Sequence, residues 1–164
     1  MILYFAGAET MIPELKEREN EININMKLYF AGAESKTIEL SKVEHTNELF
    51  NYYRLPNNQV ETMCSRPNLT FLDSGGFSAF TIGAEIDIDE YCEFIMKCKD
   101  RIDYYAQLDV IGDEEGTEKN LRYMMGKGLN PLPVFHFNSD YKRLEALSQE
   151  FEYVCLGGLV PLSK

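Results

Sequence analysis

Four positions in the sequence carry residues that could act together on a small planar molecule. Asp73 and Asp109 supply carboxylates, His136 supplies an imidazole, and Gly157-Gly158 supplies backbone without side chains. Each position directly follows a short apolar run of the kind that forms a buried strand. The pattern therefore indicates a binding or catalytic site that is assembled from the ends of strands.

Each of these residues also has a purely structural interpretation. An aspartate after a strand often caps a helix or forms a turn. This interpretation is weaker for Asp109, because Asp113 could cap the next helix. His136 could be a structural histidine with satisfied hydrogen bonds, and Gly157-Gly158 could simply form a turn. Their common position at strand ends favours a shared site.

The loop that follows Asp73 reads Ser74-Gly75-Gly76-Phe77. Glycines let the backbone approach a planar ligand closely and expose its N–H groups. A phosphate-binding loop is the rival interpretation, but the glycine spacing of a dinucleotide fingerprint and the Lys-Ser/Thr pair of a P-loop are absent from this sequence. We therefore predict that these four residues bind ligand beside Asp73.

The segments that must position these residues alternate between strand and helix patterns. Strands are predicted at 28–32, 69–72, 104–108, 132–135 and 153–156, and helices at 46–54, 87–102, 114–125 and 141–150. Asp87 and Glu90 resemble a capping box for the second helix, and Ser139 is a candidate cap for the last. This alternation predicts a parallel sheet covered by helices, either doubly wound or a (β/α) barrel. The barrel is favoured because all of its strand ends surround one mouth.

The beginning of the chain contains a repeat. Residues 1–9 read MILYFAGAE and residues 26–34 read MKLYFAGAE, which differ only at Ile2 and Lys27. Two copies do not make a repeat architecture. We interpret the second copy as the first strand, since Met26 could itself be a start, and residues 1–25 as a poorly ordered duplicated leader. The alternative is that both copies pair as neighbouring strands.

Composition limits the partners and the compartment. The net charge of −11 disfavours broad nonspecific binding to nucleic acid, although it leaves room for a local basic patch or a basic partner. No apolar run approaches the roughly 20 residues that span a bilayer, and the acidic start does not resemble a signal peptide. We expect a soluble, cytoplasmic protein without contact to a membrane.

The four cysteines are Cys64, Cys92, Cys98 and Cys155. No two of them form a C-x-x-C pair, and the histidines are far from them in the sequence. We therefore expect neither a metal site nor a disulfide framework in this chain, and interpret the cysteines as reduced, buried thiols.

Three segments together resemble the tRNA-guanine transglycosylase family of the queuine and archaeosine type. LDSGGF at 72–77 is similar to the family's D-S-G-G-F motif, YAQLD at 105–109 resembles its next acidic strand end, and VCLGGL at 154–159 resembles its later G-G-L turn. The resemblance covers about residues 71–162. His136 stands where the tRNA enzymes usually carry glutamine, which favours the phage and bacterial branch that acts on DNA.

The resemblance implies a partial (β/α)8 barrel over residues 26–164, with about the first five β/α units. It implies exchange of guanine in a polynucleotide, DNA or tRNA, for a 7-deazaguanine. Asp73 would contact the base and transfer protons, and Asp109 would recognise the guanine edge. Gly157 and Gly158 would donate backbone N–H groups to the exocyclic oxygen.

The family's nucleophilic aspartate and its zinc site lie on later strands than the segments matched here. The resemblance therefore implies a complementary C-terminal polypeptide, or self-association of the incomplete barrel. Two alternatives remain open from the sequence. One is a catalytically inactive half barrel that binds guanine or nucleic acid, and the other is a barrel hydrolase that uses Asp73 and Asp109 as a carboxylate pair.

Overall fold

The computed structural model describes residues 2–6, 27–31, 47–55, 70–137 and 139–157. These ranges contain the strands β1 (Ile2–Ala6), β2 (Lys27–Ala31), β3 (Asn47–Asn51), β4 (Thr70–Asp73), β5 (Tyr104–Tyr105), β6 (Val134–His136) and β7 (Cys155–Gly157). They also contain the helices α1 (Gly76–Thr81), α2 (Ile88–Cys98), α3 (Glu114–Gly126) and α4 (Tyr141–Glu150), with short 3-10 turns at Tyr52–Arg54 and Lys99–Arg101. None of these helices is long and apolar enough to cross a membrane.

The chain is a mixed α/β protein with parallel strands, as the alternating pattern predicts at the level of fold class. It divides into two compact units. The first unit comprises residues 1–73 and 98–103, and the second comprises residues 74–97 and 104–164. Both units contain parallel strands.

The first unit contains the parallel strands β1, β2, β3 and β4, which neighbour one another in chain order. The two copies of the repeat lie side by side, with Leu3 opposite Leu28 and Ala6 opposite Ala31. This pairing of the copies is the alternative left open by the sequence. Residues 7–26, which make up most of the predicted leader, lie outside the described residues.

The helix predicted at residues 46–54 is wrong. Residues 47–51 form β3, in which Glu48 and Phe50 are buried while the residues between them are partly exposed. The burial period of two, together with parallel partners on both sides, outweighs the helix propensity of the Glu-Leu-Phe run. The following 3-10 turn is capped by Asn51, whose side-chain oxygen accepts a hydrogen bond from the Arg54 backbone N–H at 3.1 Å.

In the second unit, the strand segments also neighbour one another in chain order. The backbone N–H of Gln107 donates to the Leu132 carbonyl at 2.9 Å, and Leu132 donates in turn to Tyr105 at 2.8 Å. β6 then pairs with β7 in parallel, so that His136 lies opposite Gly157. The helices cover this arrangement through a core cluster formed by Leu121, Phe135 and Leu147.

Local capping fixes where the helices begin. Asp87 accepts hydrogen bonds from the backbone N–H groups of Asp89 and Glu90 at 2.8 and 3.1 Å, which confirms the cap predicted for α2. The prediction that Ser139 caps α4 is wrong. Asp140 occupies the cap position, and its side chain accepts from the Lys142 N–H at 3.0 Å. The carboxylate that is one residue closer to the helix satisfies the free N–H group.

The cysteines differ from the expectation of reduced thiols. Cys98, at the end of α2, is part of a disulfide, so the expectation is wrong for this residue. Cys92 and Cys155 are free thiols, and Cys92 is fully buried on the inner side of α2. Burial raises the pKa of the Cys92 thiol and keeps it in the unreactive protonated form.

Candidate functional site

The second unit brings Ser74, Asp109 and His136 together in one hydrogen-bonded group, which we call the Asp109 cluster. The Ser74 hydroxyl donates to Asp109 Oδ1 at 3.1 Å. On the other side, His136 Nε2 lies 2.9 Å from Asp109 Oδ2 and donates to it when it carries the proton. Each oxygen of the carboxylate therefore faces its own partner. Both partners come from sequence positions more than 25 residues away.

Parallel strands explain how Asp109 and His136 meet. β5 continues into a segment whose Ala106 pairs in parallel with Leu132, just before β6. Because neighbouring parallel strands end at the same edge, the residues that follow them lie close together. His136 is the last residue of β6, and Asp109 comes three residues after Ala106. The prediction that these two polar residues converge at strand ends is confirmed for this pair.

The cluster is shielded from solvent but not closed. Ser74 is fully buried, while the side chains of Asp109 and His136 are 13% and 20% exposed. Shielding from water strengthens hydrogen bonds to a carboxylate. Each carboxylate oxygen can accept more than one hydrogen bond, so Asp109 can still accept from the N–H groups of a ligand.

Two glycines make room for the cluster. A Cβ atom on Gly76 would lie 2.7 Å from Asp109 Oδ1 and 2.9 Å from the Asp109 carbonyl oxygen. A Cβ atom on Gly157 would lie 2.8 Å from His136 Cδ2 and 2.9 Å from a methyl group of Val134. From their positions in the sequence, both glycines are predicted to contact a ligand. The structure gives them a further role, which is to let the carboxylate and the imidazole take their places.

The loop before α1 is shaped by its own residues. Gly75 has a φ of 78°, in the left-handed region that favours glycine, and it directly precedes α1. The Ser74 hydroxyl accepts from the Gly76 N–H at 3.2 Å, which holds the serine while it donates to Asp109. Phe77, in the first turn of α1, keeps 38% of its surface exposed.

Asp73 belongs to the first unit, where it is the last residue of β4. It lies opposite Asn51 of β3, whose side-chain amide donates to Asp73 Oδ2 at 3.3 Å. Its carboxylate is partly buried at the strand end, which is the position that the sequence predicts. Gly158, the remaining predicted site residue, lies outside the described residues.

Two further polar residues of the described ranges, Gln107 and Asn51, are not predicted as site residues from the sequence pattern. Gln107 is fully buried, and neither atom of its side-chain amide has a hydrogen-bond partner within the described ranges. In the sequence, Gln107 stands out as a polar residue inside the otherwise apolar strand segment YYAQL, which could have marked it as a buried polar group. Asn51, the partner of Asp73, carried no such signal because residues 46–54 were predicted to be a helix.

The chemistry of the Asp109 cluster is that of a hydrogen-bond acceptor next to an imidazole. Within residues 2–6, 27–31, 47–55, 70–137 and 139–157, no group of three or more His, Cys, Asp or Glu residues could hold a metal ion. No family model, curated protein or solved structure matches the chain.

Proposed function

We propose that the chain is the base-binding part of a transglycosylase that exchanges guanine in a polynucleotide for a 7-deazaguanine. The observation that carries the proposal is the Asp109 carboxylate, held at a strand end between Ser74 and His136. Guanine presents two adjacent N–H donors, at N1 and at the exocyclic amine. A fixed carboxylate with free lone pairs suits such a donor pair, because it can accept both hydrogen bonds at once.

The three motifs of the family resemblance support one common site. Ser74 and Gly76 of the first motif contact Asp109 of the second. Gly157 of the third motif pairs with His136, which in turn contacts Asp109. Segments that resemble one enzyme family are thus joined by direct contacts in this chain, as expected when they serve a single ligand.

The strand order supports a partial (β/α) barrel as the architecture behind this site. In each unit the parallel strands neighbour one another in chain order, β1 to β4 in the first and β5 to β7 in the second. A barrel keeps this order throughout, whereas a doubly wound sheet reverses it at the switch point. The helices α3 and α4 lie between successive strands of the second unit, as in β/α repeats.

The remaining roles in the proposal follow the resemblance. Asp73 contacts the base and transfers protons, while the family's nucleophilic aspartate and zinc site belong to strands outside residues 71–162, to which the resemblance extends. His136 in place of glutamine favours DNA over tRNA as the polynucleotide. The target base must leave its stack or come from a single strand before it can reach Asp109.

Calorimetry tests the binding part of the proposal. Guanine and 7-deazaguanine are titrated into the full chain and into Asp109→Asn, in which one acceptor oxygen becomes a donor. Loss of hydrogen bonds to a buried charge costs about 1–3 kcal/mol, so we expect binding to weaken by about tenfold or more. Asp113→Asn is the matched control, because Asp113 is exposed and caps α3 outside the Asp109 cluster.

Two results contradict the proposal. One is the absence of binding heat with the unchanged chain at the highest concentration at which the base dissolves. The other is an affinity of Asp109→Asn that equals that of Asp113→Asn. Either result removes Asp109 as the residue that reads the base.

A catalytically inactive guanine-binding protein is the second candidate. The Asp109 cluster contains a single carboxylate with a partner on each oxygen, which suits binding better than nucleophilic attack. Both candidates predict base binding, but only the first predicts incorporation of labelled guanine into DNA or tRNA. The labelled-base assay, run with and without an added polypeptide that carries the family's nucleophilic aspartate and zinc site, separates them.

A further inference from the structure

The repeated strand at the start of the chain pairs with its own copy. Residues 1–9 and 26–34 are identical at eight of nine positions. β1 and β2 pair in parallel, so that Leu3, Tyr4, Phe5 and Ala6 each lie opposite the same residue type. The sequence LYFA is therefore self-complementary in a parallel, in-register arrangement, the pairing mode that identical strands adopt when they stack.

β1 occupies the end of the sheet. Within the described residues its neighbour is β2, and no strand lies on its other side. Natural edge strands are commonly protected by proline or by charged residues such as lysine. The segment Ile2–Ala6 contains neither, whereas β2 begins with Lys27. Of the two copies, the one at the edge of the described sheet is the one without lysine or proline.

We propose that β1 is an exchangeable strand whose partner is a second copy of this chain. In the exchanged form, β1 of one chain lies beside β2 of the other, and the reverse holds at the same time. Every pairing between described strands in this dimer already exists within one chain, so the exchange conserves these pairings. A second copy is the partner because it supplies the same strand in the same register.

The number of residues between the two strands is compatible with the exchange. Residues 7–26 join β1 to β2. This connection is longer than the dozen residues that a parallel crossover needs. A connection of this length can reach either the strand of its own chain or that of a neighbour. The local concentration of the attached strand favours the closed monomer in dilute solution, and the exchanged dimer gains at high protein concentration.

Cross-linking between chains tests the exchange directly. Full-length Leu3→Cys chain is mixed with full-length, mass-labelled Leu28→Cys chain in denaturant, refolded at high concentration and oxidised. These positions lie opposite each other, within the range that a disulfide can bridge. We expect a disulfide that joins position 3 of one chain to position 28 of the other, identified by mass spectrometry of the linked peptides.

The matched control is Leu3→Cys mixed with Leu49→Cys. Leu49 lies on β3 and pairs with β2, so no link to position 3 is expected. Tyr4→Pro removes a backbone N–H in the middle of β1 and should abolish the dimer in sedimentation, while Tyr4→Phe should retain it. Circular dichroism shows whether the proline variant keeps its secondary structure.

Three outcomes overturn the proposal. One is a monomer at every concentration reached. Another is a dimer without the link between positions 3 and 28, and the last is a dimer that persists in folded Tyr4→Pro. The last two would assign self-association to another surface.

Discussion

Asp73 and Asp109 share one sequence signature, an aspartate directly after an apolar strand, yet their surroundings differ. Asp73 faces Asn51 across the pair β3–β4, and the amide reaches its carboxylate over 3.3 Å. Asp109 accepts from Ser74 at 3.1 Å and meets His136 at 2.9 Å. A strand end supplies a position for a polar group. The segments that arrive around it determine what that group can do.

The origin of the partners explains the difference. Asn51 lies on the neighbouring strand, where the parallel register fixes it opposite Asp73. The partners of Asp109 come from the loop before α1 and from the end of β6. The Asp109 site therefore depends on three segments that must be placed correctly at once. It should be more sensitive than Asp73 to substitutions that change the space around it.

Gly76→Ala should have the largest effect on stability and on base binding, because it disturbs the surroundings of Asp109. The added methyl group would press on both Asp109 Oδ1 and the Asp109 carbonyl, so the backbone or the carboxylate must move. Overpacking of this kind typically costs about 1–3 kcal/mol. We expect a lower midpoint of urea unfolding and loss of base binding in calorimetry.

Gly126→Ala is the control for Gly76→Ala. Gly126 is also helical, at the end of α3, and a Cβ atom there would meet no atom within 4 Å. Alanine is favoured over glycine in helices by up to about 1 kcal/mol, so this variant should be unchanged or slightly more stable. Equal losses of stability in both variants would show that space at Gly76 is not the cause.

Removing one partner from each aspartate sharpens the comparison. His136→Ala should cost about 1–3 kcal/mol, because it removes a hydrogen bond from a shielded carboxylate. Asn51→Ala should cost no more than this, about 0.5–2 kcal/mol, because the hydrogen bond to Asp73 is long and the cap on the Arg54 N–H that is lost with it is exposed. Urea unfolding of both variants measures the order.

His136→Gln separates the hydrogen bond from the imidazole ring. Glutamine can donate to Asp109, so part of the lost stability and base affinity should return if the hydrogen bond matters. Asn51→Asp places a second carboxylate opposite Asp73 and should not recover stability. A larger loss in Asn51→Ala than in His136→Ala would reverse the comparison between the two sites.

The sequence predicted the features that depend on neighbours in the chain. The helix at 114–125 and the cap at Asp87 follow from local pattern, and the structure confirms them within one or two residues. β3 was predicted to be a helix because its strand character depends on the two parallel neighbours that bury Glu48 and Phe50. Helix α1 was not predicted, since two glycines at its start obscure the helical pattern.

The candidate site was predictable in part for the same reason. The strand-end positions of Asp109 and His136 could be predicted because polar residues follow apolar runs in the sequence. That Gly76 and Gly157 make room for those side chains could not, because the crowding atoms come from residues distant in the chain. Contacts of this kind depend on tertiary placement, which no local pattern specifies.

Substitution of a third carboxylate, the exposed Asp89, should have the smallest effect on stability. It shows that the number of partners alone does not decide how much a carboxylate contributes. Asp89, at the start of α2, accepts from the Tyr123 hydroxyl of α3 and pairs with Lys127, which directly follows α3, each at 2.6 Å. The hydrogen bond from Lys127, and then that from Tyr123, holds the pKa of Asp89 below its ordinary value of 3.8. Asp89 has as many close partners as Asp109, but more than half of its side chain is exposed.

Water and salt screen the Asp89 interactions, so Asp89→Asn should lower stability only slightly at neutral pH. The sign of its pH dependence is fixed, because a carboxyl group whose pKa is lowered by folding stabilises the protein above its ordinary pKa. That contribution is lost as the pH falls through the lowered value. Urea midpoints of the unchanged chain and Asp89→Asn should therefore differ at about pH 7 and converge toward about pH 2. If the difference in urea midpoint stays constant between about pH 7 and about pH 2, the charge of Asp89 contributes nothing to stability. Solvent would then screen its interactions with Tyr123 and Lys127 completely.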